Sequence, residues 1–208
     1  RDLYTEKGKS VKPLVLYPSD LNSADPKCVV SIIGCTEDWF GGWDGLTPGS
    51  ADKLITEDLL SGRMVEVIES NEPAIMVCHW PGIYFNGDRT GFNILKEVVK
   101  RLNQKYDHLL WMKLNEIARY WAARELTFIT LSGNKVILKA PFSASAFTIK
   151  LNFHIKNTRI RNEGEEPQPL LRVNDKKSIK SNSWYSDMST TILCFDLKKG
   201  SSEISLTL

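Results

Sequence analysis

The chain has 208 residues, which is enough for one large domain or two small ones. Its hydrophobic share of 42% and charged share of 25% are ordinary for a globular protein, and its net charge of +2 argues neither for nor against a nucleic-acid partner. No run of about 18 apolar residues occurs, which excludes a membrane-spanning helix, and no signal-peptide pattern is found. The chain opens at Arg1 rather than at a methionine, so we expect a processed protein or a piece of a longer one.

Charge and hydrophobic period both change near residue 125. Residues 1–125 carry 15 basic against 18 acidic side chains, whereas residues 126–208 carry 12 against 7. The first part contains continuous or helically spaced apolar runs, and the second alternates apolar and polar residues. We therefore predict two domains, 1–125 and 126–208.

The first predicted elements are an extended lead-in, a buried strand and a helix. Residues 1–26 are polar and interrupted by prolines, and the β-branched apolar run at 27–34 predicts a buried strand. A loop rich in glycine and tryptophan follows at 36–50, and Ser50 is predicted to cap a helix. Gly62 is a candidate break in that helix.

The next predicted strand ends at a histidine. The apolar run before His79 is bounded by Pro73 on one side and by Pro81 on the other, which is the pattern of a fully buried strand. A histidine at the carboxyl end of such a strand lies where α/β and barrel folds place their chemistry.

The remaining elements of this half alternate between helix and strand. An amphipathic helix is predicted from about Gly91, a short strand at 108–112, and a last helix from Leu114 with Asn115 as its cap. Alternating β and α elements predict parallel strands covered by helices, as in an α/β sheet or part of a barrel.

From Leu126 onward the hydrophobic period is two. The clearest case is an apolar set that alternates with polar residues, and we predict that the apolar set faces one core while the polar set faces solvent. The apolar set is Phe147, Ile149, Leu151 and Phe153, and the polar set is Lys150, Asn152 and His154. Short strands with polar turns predict an all-β antiparallel sandwich.

His79 and Asp38 are the candidate catalytic pair. If the two buried strands are parallel neighbours, the loops that follow them lie on one face, and Asp38 approaches His79 to roughly 3–6 Å. A carboxylate beside an imidazole raises its pKa and fixes its tautomer, which makes it a usable proton donor. The alternative is that His79 is a core histidine bonded to a backbone carbonyl.

Aromatic residues flank both candidate residues. Flat amphipathic rings are suited to stacking on a sugar, although the tryptophans would equally cap the end of a sheet. The candidate sugar-binding residues are Trp39, Trp43, Trp80 and Tyr84.

Other catalytic motifs are absent from the sequence. It contains no glycine-rich phosphate fingerprint, no GxSxG elbow, and no HxxxH or HExxH pair, and its four cysteines fit no zinc spacing. The lysine cluster at 176–180 lacks interleaved aromatics, so we predict a solvated edge rather than a nucleic-acid site.

The segment Thr36-Glu-Asp-Trp39 and the segment Ile75-Met-Val-Cys-His79 together resemble the last two motifs of polysaccharide deacetylases of the carbohydrate esterase type. The resemblance covers about half of the chain. It implies that His79 is the general acid, that Asp38 modulates the acidity of His79, and that Trp39 lines the pocket for the acetyl group. It further implies that the second half is an accessory β-sandwich of the kind found on glycan-processing enzymes.

The family's metal-binding and base motifs come early in its barrel, and this chain has neither. The resemblance therefore implies a C-terminal portion of a hydrolase whose metal, zinc or another divalent ion, is bound by an N-terminal part of the parent protein. We expect a carbohydrate partner, an extracytoplasmic location, no nucleic-acid partner, and neither cofactor nor turnover in this chain alone. The alternative is a non-catalytic glycan-binding or structural module.

Overall fold

The structure is a computed structural model that describes residues 8–36, 48–84, 87–107 and 109–208. The chain divides into two compact units that are each discontinuous in sequence. The first comprises Arg1–Leu14 and Ser31–Trp111, and the second comprises Val15–Val30 and Met112–Leu208. The sequence placed a single boundary later, at about residue 125. None of the helices in the described ranges is long and apolar enough to cross a membrane.

The first unit is helical in its described parts. It contains a 3-10 helix and three α-helices: Pro48–Lys53, α1 (Arg63–Glu69), α2 (Trp80–Ile83) and α3 (Thr90–Lys105). The helix predicted from about Gly91 is confirmed as α3, whose buried stripe of Ile94, Val98 and Leu102 has a spacing of four. These side chains share one core with Ile55 and the buried face of α1.

Gly62 separates the two halves of the first predicted helix. Its φ of 124° is readily adopted by glycine but is strained for other residues. In addition, a Cβ at this position would lie 2.4 Å from the Leu54 carbonyl oxygen. The chain turns at this point, and α1 begins at Arg63. Ser50 lies inside the 3-10 helix rather than at its cap, which corrects the sequence prediction.

The predicted parallel strands are only partly strands in the structure. The run at 27–34 forms strand β2 over Lys27–Ser31, which pairs with β1 (Leu14–Ser19). All residues of this pair except Leu14 and Ser31 belong to the second unit, and Val29 is 54% exposed. Residues 73–79 are extended and at most half-buried without forming a strand, and residues 109–113 are irregular. An apolar run alone does not distinguish a buried strand from an extended segment lying on a core.

The second unit contains two sheets. The five-stranded sheet has the order β3 (Phe128–Ser132), β4 (Lys135–Ala140), β11 (Gly200–Thr207), β6 (Asn157–Asn162) and β7 (Gln168–Pro169). The four-stranded sheet has the order β5 (Ala144–Leu151), β10 (Thr191–Leu197), β9 (Ser183–Ser186) and β8 (Leu171–Arg172). Within these two sheets, the paired strands of the described residues are antiparallel, except that β8 runs parallel to β9.

The two sheets share one core, and the alternation predicted for residues 147–154 is confirmed. Phe147 is buried, and Ile149, Leu151 and Phe153 pack against the same core, whereas the intervening polar residues are exposed. Both sheets contribute fully buried side chains, among them Leu138 and Ile204 from one and Trp184, Leu193 and Phe195 from the other.

The last helix, α4 (Leu114–Leu126), belongs to the second unit. Its first turn is closed by Glu116, whose Oε2 accepts a hydrogen bond from the Lys113 backbone N–H at 2.7 Å. Asn115, the predicted cap, therefore lies one residue inside the helix.

Candidate functional site

Two segments of the first unit, residues 34–36 and residues 75–77, lie side by side. Each of them ends two residues before a candidate catalytic residue in the chain. The Cys35 N–H donates to the Ile75 carbonyl oxygen at 2.8 Å, and the Val77 N–H donates to Oγ1 of buried Thr36 at 3.0 Å. From the first contact to the second, the residue number increases in both segments, so the two segments run parallel to each other. The contact between Thr36 and Val77 lies two residues before His79.

Gly34 allows this close approach. A Cβ at Gly34 would lie 1.9 Å from Cγ2 of Val77 and 3.5 Å from the Ile75 carbonyl oxygen. Since side-chain atoms never approach that closely, any larger residue here would push the two segments apart. The sequence signal for this contact is a glycine that directly follows a β-branched run.

Arg63 anchors the first of these segments. Its guanidinium is buried, with Nε donating to the Cys35 carbonyl oxygen and Nη2 to the Lys9 carbonyl oxygen, both at 2.7 Å. Nη1 forms an ion pair with Glu66 at 3.1 Å, which compensates the buried charge. No sequence pattern indicated this role, because a helical arginine is ordinarily exposed.

Cys35 is part of the core and not a nucleophile. Its side chain is fully buried, and burial raises the pKa of the thiol to about 11. Only a thiolate is strongly nucleophilic, so this group is inert near neutral pH.

His79 lies on the surface at the start of α2. The residue is exposed, and its carbonyl oxygen accepts a hydrogen bond from the Gly82 N–H at 3.0 Å. This exposure argues against the alternative of a core histidine. An exposed imidazole at the end of an extended segment is accessible to a substrate.

Tyr84 follows α2 and is 44% exposed. Its ring stacks on Phe92 of α3, with centroids 5.7 Å apart and an interplanar angle of 22°. Lys96 lies beyond, with Nζ 5.3 Å from the Phe92 centroid. The stack holds the Tyr84 ring in place, which a sugar-stacking residue requires.

Several predicted site residues lie outside the described part of the chain. They are Asp38, Trp39 and Trp43, while Trp80 is described only through its backbone in α2. The predicted distance between Asp38 and His79 therefore stays a prediction. Among the residues that the structure describes, no three His, Cys, Asp or Glu side chains are grouped so as to hold a metal ion.

His154 and Ser186 form a histidine–serine contact that sequence analysis did not anticipate. Nδ1 of His154 lies 2.8 Å from the Asp187 carbonyl oxygen and 3.0 Å from Oγ of Ser186. Because a carbonyl only accepts, Nδ1 carries the hydrogen. The Thr191 hydroxyl donates to the Phe153 carbonyl, and the Ser186 hydroxyl donates away from His154, with Oγ1 of Thr191 at 2.8 Å and the Thr190 carbonyl oxygen at 3.2 Å as its acceptors. The proton direction is opposite to that of a base-activated serine, and the pair is structural.

Comparisons with known proteins identify no relative. No family model, no curated protein and no solved structure matches this chain.

Proposed function

We propose that the chain is the C-terminal portion of a carbohydrate-active, polysaccharide deacetylase-like hydrolase in which His79 is the proton donor. The observation that carries this proposal is the hydrogen bond between Val77 and Thr36. His79 and Asp38 each follow that contact by two residues, a step that covers at most about 7 Å along the chain. The contact supports the proposal because it brings together the two segments that lead to these residues.

The chemistry of this proposal is confined to one proton transfer. Hydrolysis of an acetyl group breaks the bond from the acyl carbon to a sugar nitrogen or oxygen, and that leaving atom must take up a proton. In this proposal His79, which is exposed, supplies it as the general acid, and a neighbouring carboxylate orients the ring. The resemblance, and not the structure, assigns the ligands of a divalent metal to the parent protein; among the described residues no three His, Cys, Asp or Glu side chains are grouped to hold one.

A comparison of two histidine variants tests the role of His79. In the longer parent protein that this proposal assumes, we expect His79→Gln to lower kcat for acetate release about 100-fold or more, because the leaving atom loses its proton donor. His154→Gln is the matched control, because His154 is also exposed but lies in the other unit. Equal losses in both variants, or none in His79→Gln, contradict the proposal.

A second candidate function is sugar binding without catalysis, and the Tyr84 stack favours it. One ring face rests on Phe92 while nearly half of the side chain stays exposed. We expect Tyr84→Ala to weaken binding of chitin oligomers about fivefold by calorimetry, whereas Tyr84→Phe retains it because the ring is kept. Tyr17→Ala, which removes a more exposed ring in the other unit, serves as the control. An affinity for chitin oligomers that is unchanged in Tyr84→Ala rules this candidate out.

A further inference from the structure

A pocket in the second unit adjoins the five-stranded sheet. Its volume is about 390 Å³, which falls within the range of small-molecule sites. It is lined by the start of β3, the end of β4, the start of β11 and the connection between β1 and β2. All of these segments belong to the second unit.

Three side chains form a row across the outer face of the sheet at this pocket. Phe128 of β3 is paired with Lys139 of β4, which is paired in turn with Ser201 of β11. Leu138, next to Lys139, and Ser202, next to Ser201, are buried in the core. Because successive side chains of a strand point to opposite faces, the row lies on the face away from that core. Directly opposed residues are close enough to contact one ligand together, and the row offers an aromatic ring, an ammonium group and a hydroxyl.

A second ammonium group lies beside this row. Nζ of Lys199 donates to the Ser23 carbonyl oxygen, which ties the connection between β1 and β2 to the start of β11. An ammonium group has three donors, and this bond uses one of them. Asn22 adds an amide to the same pocket lining.

The pocket combines positive charge with an apolar surface. The described residues that line it include two lysines, while one carboxylate stands at its edge: Oε2 of Glu163 lies 3.4 Å from the position that a Cβ of Gly200 would take. Glu203, two residues after Ser201, already pairs with Lys135 at 3.1 Å and with Arg161 at 3.6 Å. Phe128 is 75% exposed, so its ring offers a face to a ligand rather than to the core.

We infer that this pocket binds an acidic saccharide unit, with its carboxylate held by Lys139 and Lys199 and its ring stacked on Phe128. A pyranose ring has an apolar C–H face that suits an aromatic side chain, and its hydroxyls suit Ser201 and Asn22. This inference takes the carbohydrate class from the proposed function, but it involves no catalytic residue and lies in the other unit.

Calorimetry with three probes tests the inference on the chain as it stands. Digalacturonate carries both the charge and the ring, cellobiose carries the ring alone, and acetate carries the charge alone. We expect digalacturonate to bind at least tenfold more tightly than either of the others, and its affinity to fall as salt is raised.

Variants assign the contacts to side chains. Lys139→Met and Phe128→Ser should each weaken digalacturonate binding about tenfold, while Phe128→Tyr keeps the ring and the affinity. Lys150→Met is the matched control, because this exposed lysine lies on β5 in the other sheet. Circular dichroism verifies that each variant is folded.

Several outcomes overturn the inference: no digalacturonate binding at millimolar concentration, equal binding of cellobiose or acetate, or affinity unchanged in Lys139→Met and Phe128→Ser. His79→Gln should bind digalacturonate as the unmodified chain does. If acetate is not released but digalacturonate still binds, only the deacetylase proposal is contradicted. If acetate is released but digalacturonate does not bind, only the inference about the pocket is contradicted.

Discussion

At Gly34 the two segments that lead to the candidate site leave room for a hydrogen atom and nothing larger. We expect Gly34→Ala to lower the free energy of unfolding by about 2 kcal/mol, since its Cβ would overlap Val77. Gly164→Ala, where no atom lies within 4 Å, bears only the strain of a positive φ and should cost about 1 kcal/mol or less. Urea denaturation measures both. A smaller loss for Gly34→Ala than for Gly164→Ala would mean that the segments are not in contact.

Tyr106 causes the stability of the first unit to fall as the pH becomes alkaline. Burial, and next the charge and hydrogen bond of Glu69, raise the pKa of this phenol from 10.0 to about 12. Below pH 10 the phenol is neutral in both states and the stability is complete. Between pH 10 and pH 12 the unfolded state ionises first, so stability falls. Thermal melts should show this fall, and Tyr106→Phe should reduce it; an identical pH profile in the variant would contradict the assignment.

At the scale of elements, β5 shows where sequence predicts structure well. From Phe147 to Leu151 its alternation is unbroken and one face meets a core, so period and burial agree; nearer the start of the strand Ala146, with a φ of 51°, shifts the pattern. We expect Phe147→Ala to cost about 3–5 kcal/mol and Lys150→Ala less than about 0.5 kcal/mol in urea denaturation. Similar losses in the two variants would contradict the placement of the core face.

The strands that the sequence predicted incorrectly, or only in part, were mispredicted for one physical reason. The runs at 27–34 and 73–79 are apolar, and apolarity indicates burial without specifying hydrogen-bond partners. The first run ends as a strand at Ser31, and its remainder lies on the core of the other unit. The contacts of Arg63 with Cys35 and Lys9 join residues 28 and 54 positions apart, a kind of information that no local pattern carries.

At the scale of the whole molecule, the discontinuous division explains why one boundary in the sequence was insufficient. Val15–Val30 belongs with the sheets although it precedes the helical unit in the chain. The change in charge and period near residue 125 comes just before β3, the first strand of the two sheets, but α4, which precedes it, already belongs to the same unit. The predicted His79 and Tyr84 lie close together in the chain and are both exposed, while the pocket at Phe128 and Lys139 depends on strand register, which the sequence did not reveal.

Acetate release tests the central claim most directly. The chain as it stands and the same chain with its native preceding sequence would be assayed side by side, with zinc, on chitin oligomers and acetylated xylan. Under the proposed function we expect release only from the longer protein, because in that proposal the chain contributes a proton donor and the parent contributes the remaining groups. Release from the chain alone together with stoichiometric zinc binding, or no release from either protein, would contradict it.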